Sequence, residues 1–156
     1  MEVIVINLTY VKVTNKWHYI CLFIDLFNRD IIGASTVKHR SADLVLMALS
    51  SIKGDLHCVS MFHTDRGKEF DNACIEDALI TFGIQRSLSI KGCPYDNAIA
   101  ESTFKAVKTE FIYPNPFRTI DELNLQLYDY INWFNHHRIH SSFNYQAPVN
   151  YKLSTT

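Results

Sequence analysis

Residues 92–108 read GCPYDNAIAESTFKAVK. The stretch opens as a loop, with Gly92, Pro94 and the Asp96-Asn97 pair as turn residues. It continues as a two-faced helix. Ala100, Phe104, Val107 and Phe111 recur at helical spacing and make one apolar stripe. Glu101, Lys105 and Lys108 fall at i, i+4 and i+7 on a different face. One carboxylate therefore sits near the start of a packed helix with two ammonium groups stacked behind it. Alone, this is a solvated face carrying a Glu–Lys pair. A second acid upstream changes its weight: Asp65, in the run His63-Thr64-Asp65-Arg66-Gly67, with thirty-five residues between the two acids.

Outward from this helix the chain reads as one mixed α/β domain. Residues 3–13 alternate as a strand, with Ile4, Ile6, Leu8 and Tyr10 on one face and Val3, Val5, Asn7, Thr9 and Val11 on the other. Turn residues at 14–16 and 27–30 separate it from strands at 17–25 and 31–37, an antiparallel meander. Ser41 is a candidate N-cap for a helix to about Lys53, which Gly54 stops. A fourth strand is expected at 56–62, nearly all apolar, with Asp65 just past its end. A helix over 71–82, ended by Gly83, and a strand over 84–88 follow. Pro114 and Pro116 break the Glu101 helix, and Thr119 with Glu122 forms a capping box that opens the last helix. From about Ile139 the periodicity fades, and a loop-like tail over 139–156 is expected to follow a core over 1–138. The order predicts a mixed five-stranded sheet flanked by helices.

Composition narrows the class. The 156 residues suit one domain with a sizeable core. Net charge is −1, so bulk charge does not mark a nucleic-acid binder, and any polyanion must meet a local basic patch. The longest apolar run, 19–27, is interrupted by Asp25 and too short to span a bilayer, and no signal peptide is evident. Cys21, Cys58, Cys74 and Cys93 are scattered without a C-x-x-C pair, which points to a reducing cytoplasm.

A carboxylate at the C-terminal edge of a central strand stands where open sheets place their sites. Two carboxylates brought together repel unless a proton or cation lies between them. Oxygen ligands alone suit Mg²⁺ or Mn²⁺, and two such ions roughly 3.5–4 Å apart serve phosphoryl displacement. Lys105 and Lys108 could then hold phosphates of a polyanionic substrate.

Four blocks carry a family resemblance: IDLFNRDIIGA (24–34), FHTDRGKEFDN (62–72), KGCPYDNAIAESTFKAVKTE (91–110) and YINWFNHHRIHSSFNYQAP (130–148). With Asp65 and Glu101 at their spacing, they resemble the D,D-35-E transposases of bacterial insertion sequences, whose catalytic core resembles that of retroviral integrases. The resemblance implies a ribonuclease-H-like fold, two Mg²⁺ ions, DNA as substrate, and 3′-end cleavage followed by strand transfer. DNA contacts are read at Lys105, Lys108, Arg66, Asn97, Tyr95 and Arg138, and a homo-oligomer or a mixed oligomer with intact transposase is expected.

The chain departs from the family pattern at the first acid. That place, mid-way along the first strand, reads Asn7-Leu8-Thr9-Tyr10, and Ile4 and Ile6 stand where the family usually has Trp and Thr. The chain starts six residues before Asn7, so the upstream helical DNA-binding segment of such transposases is expected to be missing. An amide can ligate Mg²⁺ but brings no charge, so weakened metal binding and reduced turnover are expected. Asp25 is no easy substitute, being a turn-initiating residue before Leu26-Phe27-Asn28. His63 and Arg66 read equally as turn-shaping, phosphate-contacting or solvated groups. The 136–140 histidine cluster reads as surface or DNA-backbone contact. Three readings stand: a transposase core impaired at Asn7, a catalytically dead module that binds DNA or a partner transposase, and a structure-specific nuclease on the same fold, which would cut without joining. Neither the terminal repeat, the target preference nor the oligomeric state is written in the sequence.

Overall fold

A computed structural model describes residues 3–64, 68–88 and 95–155, without the side chains of 69, 88 and 95–97. Its centre is β1 (Val3–Val13), paired antiparallel with β2 (Lys16–Asp25), which pairs antiparallel with β3 (Ile31–Val37). On its other edge β1 runs parallel to β4 (Met61–Thr64), and β4 parallel to β5 (Gln85–Leu88). The sheet order is β3-β2-β1-β4-β5.

The alternation along β1 sorts the molecule into two layers. Ile4 and Ile6, with Cys21 and Phe23 of β2, face α1 (Ala42–Ser50) and α2 (Ala73–Thr81). Val5, Val11 and Val13, with Ile20, Leu22 and Ile24, face α3 (Tyr95–Val107) and α4 (Ile120–His136). Both faces of the central strands are covered, hence the unbroken apolar run of β2. Where α1 crosses β3, a Cβ on Gly33 would lie 2.7 Å from the Ala48 carbonyl and 2.7 Å from Ile52 Cγ1, so a side chain there would force the helix off the strand.

Local signals set most boundaries. Asn72 caps α2 by accepting from the Cys74 N–H at 2.9 Å. Gly83, at φ +69°, takes the left-handed turn that ends it. Thr119 accepts from the Glu122 N–H at 3.1 Å, while Glu122 reaches the Arg118 N–H instead of that of Thr119. Ser41 flanks α1 without a side-chain cap bond.

Two expectations are corrected. The predicted strand over 56–62 is instead a 3₁₀ turn, Leu56–Cys58, followed by a shorter β4. Asp55 accepts from the His57 N–H at 2.9 Å and bends the chain there, so an apolar run that reads as strand is used as a turn. The C-terminal stretch is not a loop throughout: α5 (Pro148–Thr155) forms there. Pro148 opens it with a preset φ and no N–H to orphan. Its carbonyl accepts from Asn28 Nδ2 at 3.0 Å, and Lys152 pairs with the fully buried Asp25 at 3.5 Å. Residues 139–155 thus pack on the body of the domain. Asp25 also accepts from the Phe27 N–H at 3.1 Å, the turn-initiating role read from its neighbours.

Candidate active site

The site begins with Asn7. Its position in β1 shares the side of Val5 and Val11, toward α3, and pairs with Leu22 across the ladder. Val5 is the partner of His63 in the parallel ladder, so Asn7 stands two residues further, at the level where β4 has ended with Thr64. Glu101 follows Ala100, which packs in the same apolar layer as Val5, and is itself exposed. Lys105 is exposed one turn later, and Lys108 is half-buried at the start of a π-helical turn, Lys108–Ile112. The amide on β1 and the helix bearing the carboxylate and lysines therefore lie on one side of the sheet. Asp65 and Arg66 lie outside the described residues, as do the side chains of Tyr95 and Asn97.

The donor set bears on which cation the site suits. Asn7 Oδ1 accepts from the Leu8 N–H at 2.7 Å, so one lone pair of a neutral ligand is already engaged. Among the described residues no group of three His, Cys, Asp or Glu side chains is placed to hold a metal. The oxygen donors of Asn7 and Glu101 are those a hard divalent ion accepts. They fit such an ion only together with Asp65.

Behind the site, the π-helical turn that continues α3 is tied to α4 and to Arg138 just past its end by a network that hydropathy could not reveal. Arg138 grips Glu110 with both carboxylate oxygens, Nη2 to Oε1 at 2.6 Å and Nε to Oε2 at 2.8 Å. Tyr130 donates to Glu110 Oε2 at 3.0 Å, and the Arg138 guanidinium lies 5.3 Å from the Phe134 ring centre. Hydrogen bonding to Arg138 holds the Glu110 carboxyl below its usual range, and burial pushes the Tyr130 phenol up. Arg138, read from the sequence as a DNA contact, is in this structure the partner of Glu110. Sequence reading also missed Asn135, buried at the end of α4. It donates to the Ile31 carbonyl at 2.9 Å and accepts from the Ile31 N–H at 3.0 Å, completing the first pairing of edge strand β3 as a neighbouring strand would. His63 is buried with Nδ1 3.2 Å from Ser87 Oγ, and is not solvated. His136 and His137 are exposed.

His140 gives this network a pH dependence. Burial, then the Arg138 and Arg29 guanidiniums, push its imidazole down to about 4. Between about 6.5 and about 4 the unfolded chain binds the proton that the folded chain refuses, so stability falls as pH drops through that window. The ceiling is about 3 kcal/mol. The lowered Glu110 loses its contribution at still lower pH. Urea denaturation at pH 7 and pH 5 is expected to show the loss, and His140→Gln to flatten it over that interval.

A mixed sheet in the order β3-β2-β1-β4-β5, with helices on both faces, is the ribonuclease-H-like fold. The structure resembles the catalytic core domain of BIV integrase, with TM-score 0.72 and 18% identity over 99% of this chain and 95% of that one. It also resembles the HTLV-2 integrase catalytic core domain in complex with magnesium, in its dimeric form, with TM-score 0.67 and 16% identity over 90% of each chain. The chain belongs to the integrase core domain family: residues 1–94 and 101–155 match its two models. It is 32% identical over 149 residues to the transposase for insertion sequence element IS904 of Lactococcus lactis subsp. lactis, covering 94% of this chain and 59% of that protein. The chain spans about half the length of the curated relatives it matches.

Proposed function

We propose that this domain is the catalytic core of an insertion-sequence transposase, acting on DNA by 3′-end cleavage and strand transfer, with a site weakened by Asn7. What supports the reading is the shared side of the sheet: the Asn7 position on β1 and the helix of Glu101 belong to one layer in a chain of the integrase core domain family. In this reading Glu101, Asp65 and the Asn7 amide would hold hard divalent ions, Mg²⁺ or Mn²⁺, two in an intact site. Such ions supply charge stabilisation at the scissile phosphate and activation of the attacking oxygen. The chain itself supplies the rest. Lys105 on α3 and Lys108 in the turn that follows it hold phosphates, with Tyr95 and Asn97 of the first turn of α3, and Arg66, as further contacts. The Arg138–Glu110 grip keeps α3 at a fixed angle to the sheet, and so keeps Glu101 in reach of β1.

DNA in two ends and a target calls for more than one subunit, so a homo-oligomer, or a mixed oligomer with intact transposase, belongs to the same reading. Its place of action is the bacterial cytoplasm, where the chromosome lies. A second reading is favoured by the engaged amide oxygen of Asn7: a module that binds DNA or partner subunits without turnover. Incubation with end-labelled DNA and Mn²⁺ separates the two. Slow, chelator-sensitive cleavage and joining, abolished by Glu101→Gln, is expected of an impaired core. Binding untouched by chelator, with no product at any time, would leave only the non-catalytic module.

A further inference from the structure

We propose that the outer end of the β1–β2 hairpin is a binding platform for an unpaired segment of nucleic-acid strand; the proposal rests on the reading of the domain as one that acts on DNA. Three aromatic side chains stand in solvent at this end: Tyr10 is 61% exposed, Trp17 57% and Tyr113 73%. Tyr10 and Trp17 meet edge to face with ring centres 5.2 Å apart, and Tyr113 stands across from them at the end of the π-helical turn. Between them runs a groove of about 510 Å³, within the ~300–1,000 Å³ usual for ligand sites.

The groove has a sign. Lys12 and Arg118 line it, and none of its lining residues is acidic. Both cations are exposed, and neither has an ion pair among the described residues. In a chain of net charge −1, such a spot is a local basic patch of the kind a polyanion requires. Its walls are fixed. The Thr14 N–H donates to the Phe117 carbonyl at 2.8 Å, and Thr14 Oγ1 to the Arg118 carbonyl at 2.8 Å, tying the hairpin tip to the segment that carries the other wall.

Aromatic faces beside cations are the means by which proteins hold single strands: bases stack and phosphates meet the charges. A duplex keeps its base faces inside its own stack, so the aromatics select the unpaired form. Tyr10 lies three residues beyond Asn7 on β1, about 10 Å at strand rise, and the odd offset sets it, with Lys12 and Trp17, on the opposite face of the sheet from Asn7. The platform is therefore a separate site on the same central strand and not a continuation of the Asn7 face. Past Val5 this edge of β1 has no strand partner among the described residues until Val13 meets Phe117.

The test is fluorescence anisotropy with a labelled single-stranded oligothymidylate and, separately, a duplex of equal length. The double variant Trp17→Ala/Tyr113→Ala is expected to lose single-strand affinity by on the order of 10- to 100-fold while duplex affinity holds. Trp17→Phe is expected to retain most of it. In a Trp133→Phe background the single strand is expected to quench the remaining Trp17 emission. A folded double variant, by circular dichroism, that binds single strands as before overturns the proposal. So does a change in sedimentation without a change in DNA affinity, which would make the patch a protein interface. Duplex binding intact in those cases leaves the DNA-acting reading standing; failure of the unaltered protein to bind either DNA sinks both.

Discussion

Asn7→Asp is expected to tighten Mg²⁺ binding by on the order of 10- to 100-fold, which at 1.4 kcal/mol per decade is about 1.4–2.8 kcal/mol. The reason is electrostatic. The present ligand is a dipole already spending part of its oxygen on the Leu8 N–H, whereas a carboxylate adds a full negative charge a bond length from a doubly positive ion. The position is half-buried, which weakens screening by water. The same burial makes the unliganded Asp variant less stable than the parent, because a charge without a partner is costly there. Ligand binding reverses the order by mass action. Two readouts should therefore move together: calorimetric affinity for Mg²⁺, and the rise in Tm on adding the ion, larger in the variant. Strand transfer in Mn²⁺ is expected to rise by on the order of 100-fold, about 2.7 kcal/mol off the barrier. No change in affinity, Tm shift or turnover would place Asn7 outside the site.

Phe134→Ala is expected to produce the largest loss of stability. The ring is fully buried, 6.0 Å from Tyr130 and 5.2 Å from His140 by ring centres, and it supports the Arg138 guanidinium. Emptying that place removes the apolar burial of α4 and the aromatic face under the Arg138–Glu110 pair at once. Deletions of this kind cost about 3–5 kcal/mol, and for a domain of this size Tm should fall by on the order of 10 °C. Urea denaturation measures it. A cost below about 1 kcal/mol would mean that α4 is not held to α3 through this joint.

Much of the fold was legible because its signals are local. The strict alternation in β1 sorted Ile4 and Ile6 from Val5 and Val11 onto opposite layers, as found. Gly83 and the Thr119 cap marked helix ends that need no distant partner. What was not legible depends on partners far along the chain. β4 is short because its parallel register with β1 engages only the end of the apolar run, and the run alone does not state that register. The helix after Pro148 is weakly amphipathic and is anchored by Asn28 and Asp25, more than a hundred residues away.

The candidate site divides in the same way. The spacing of Glu101, Lys105 and Lys108 shows in any helical reading. Asn7 has no periodic signature: on its own it is a polar residue in an apolar strand, and only the family pattern singles it out. Arg138 shows why a basic residue near a site is ambiguous. Its partner Glu110 is 28 positions away, and sequence offers no reason to pair them.

The central claim, that the opening strand and the Glu101 helix share a cation, has a direct measurement. Mn²⁺ is titrated into ¹⁵N-labelled protein and paramagnetic broadening of amide signals is followed. Asn7 and Glu101 are expected to broaden together and first, with Thr14 at the hairpin tip spared. Broadening centred on Asp30 and His136, with Asn7 and Glu101 left sharp, would contradict it.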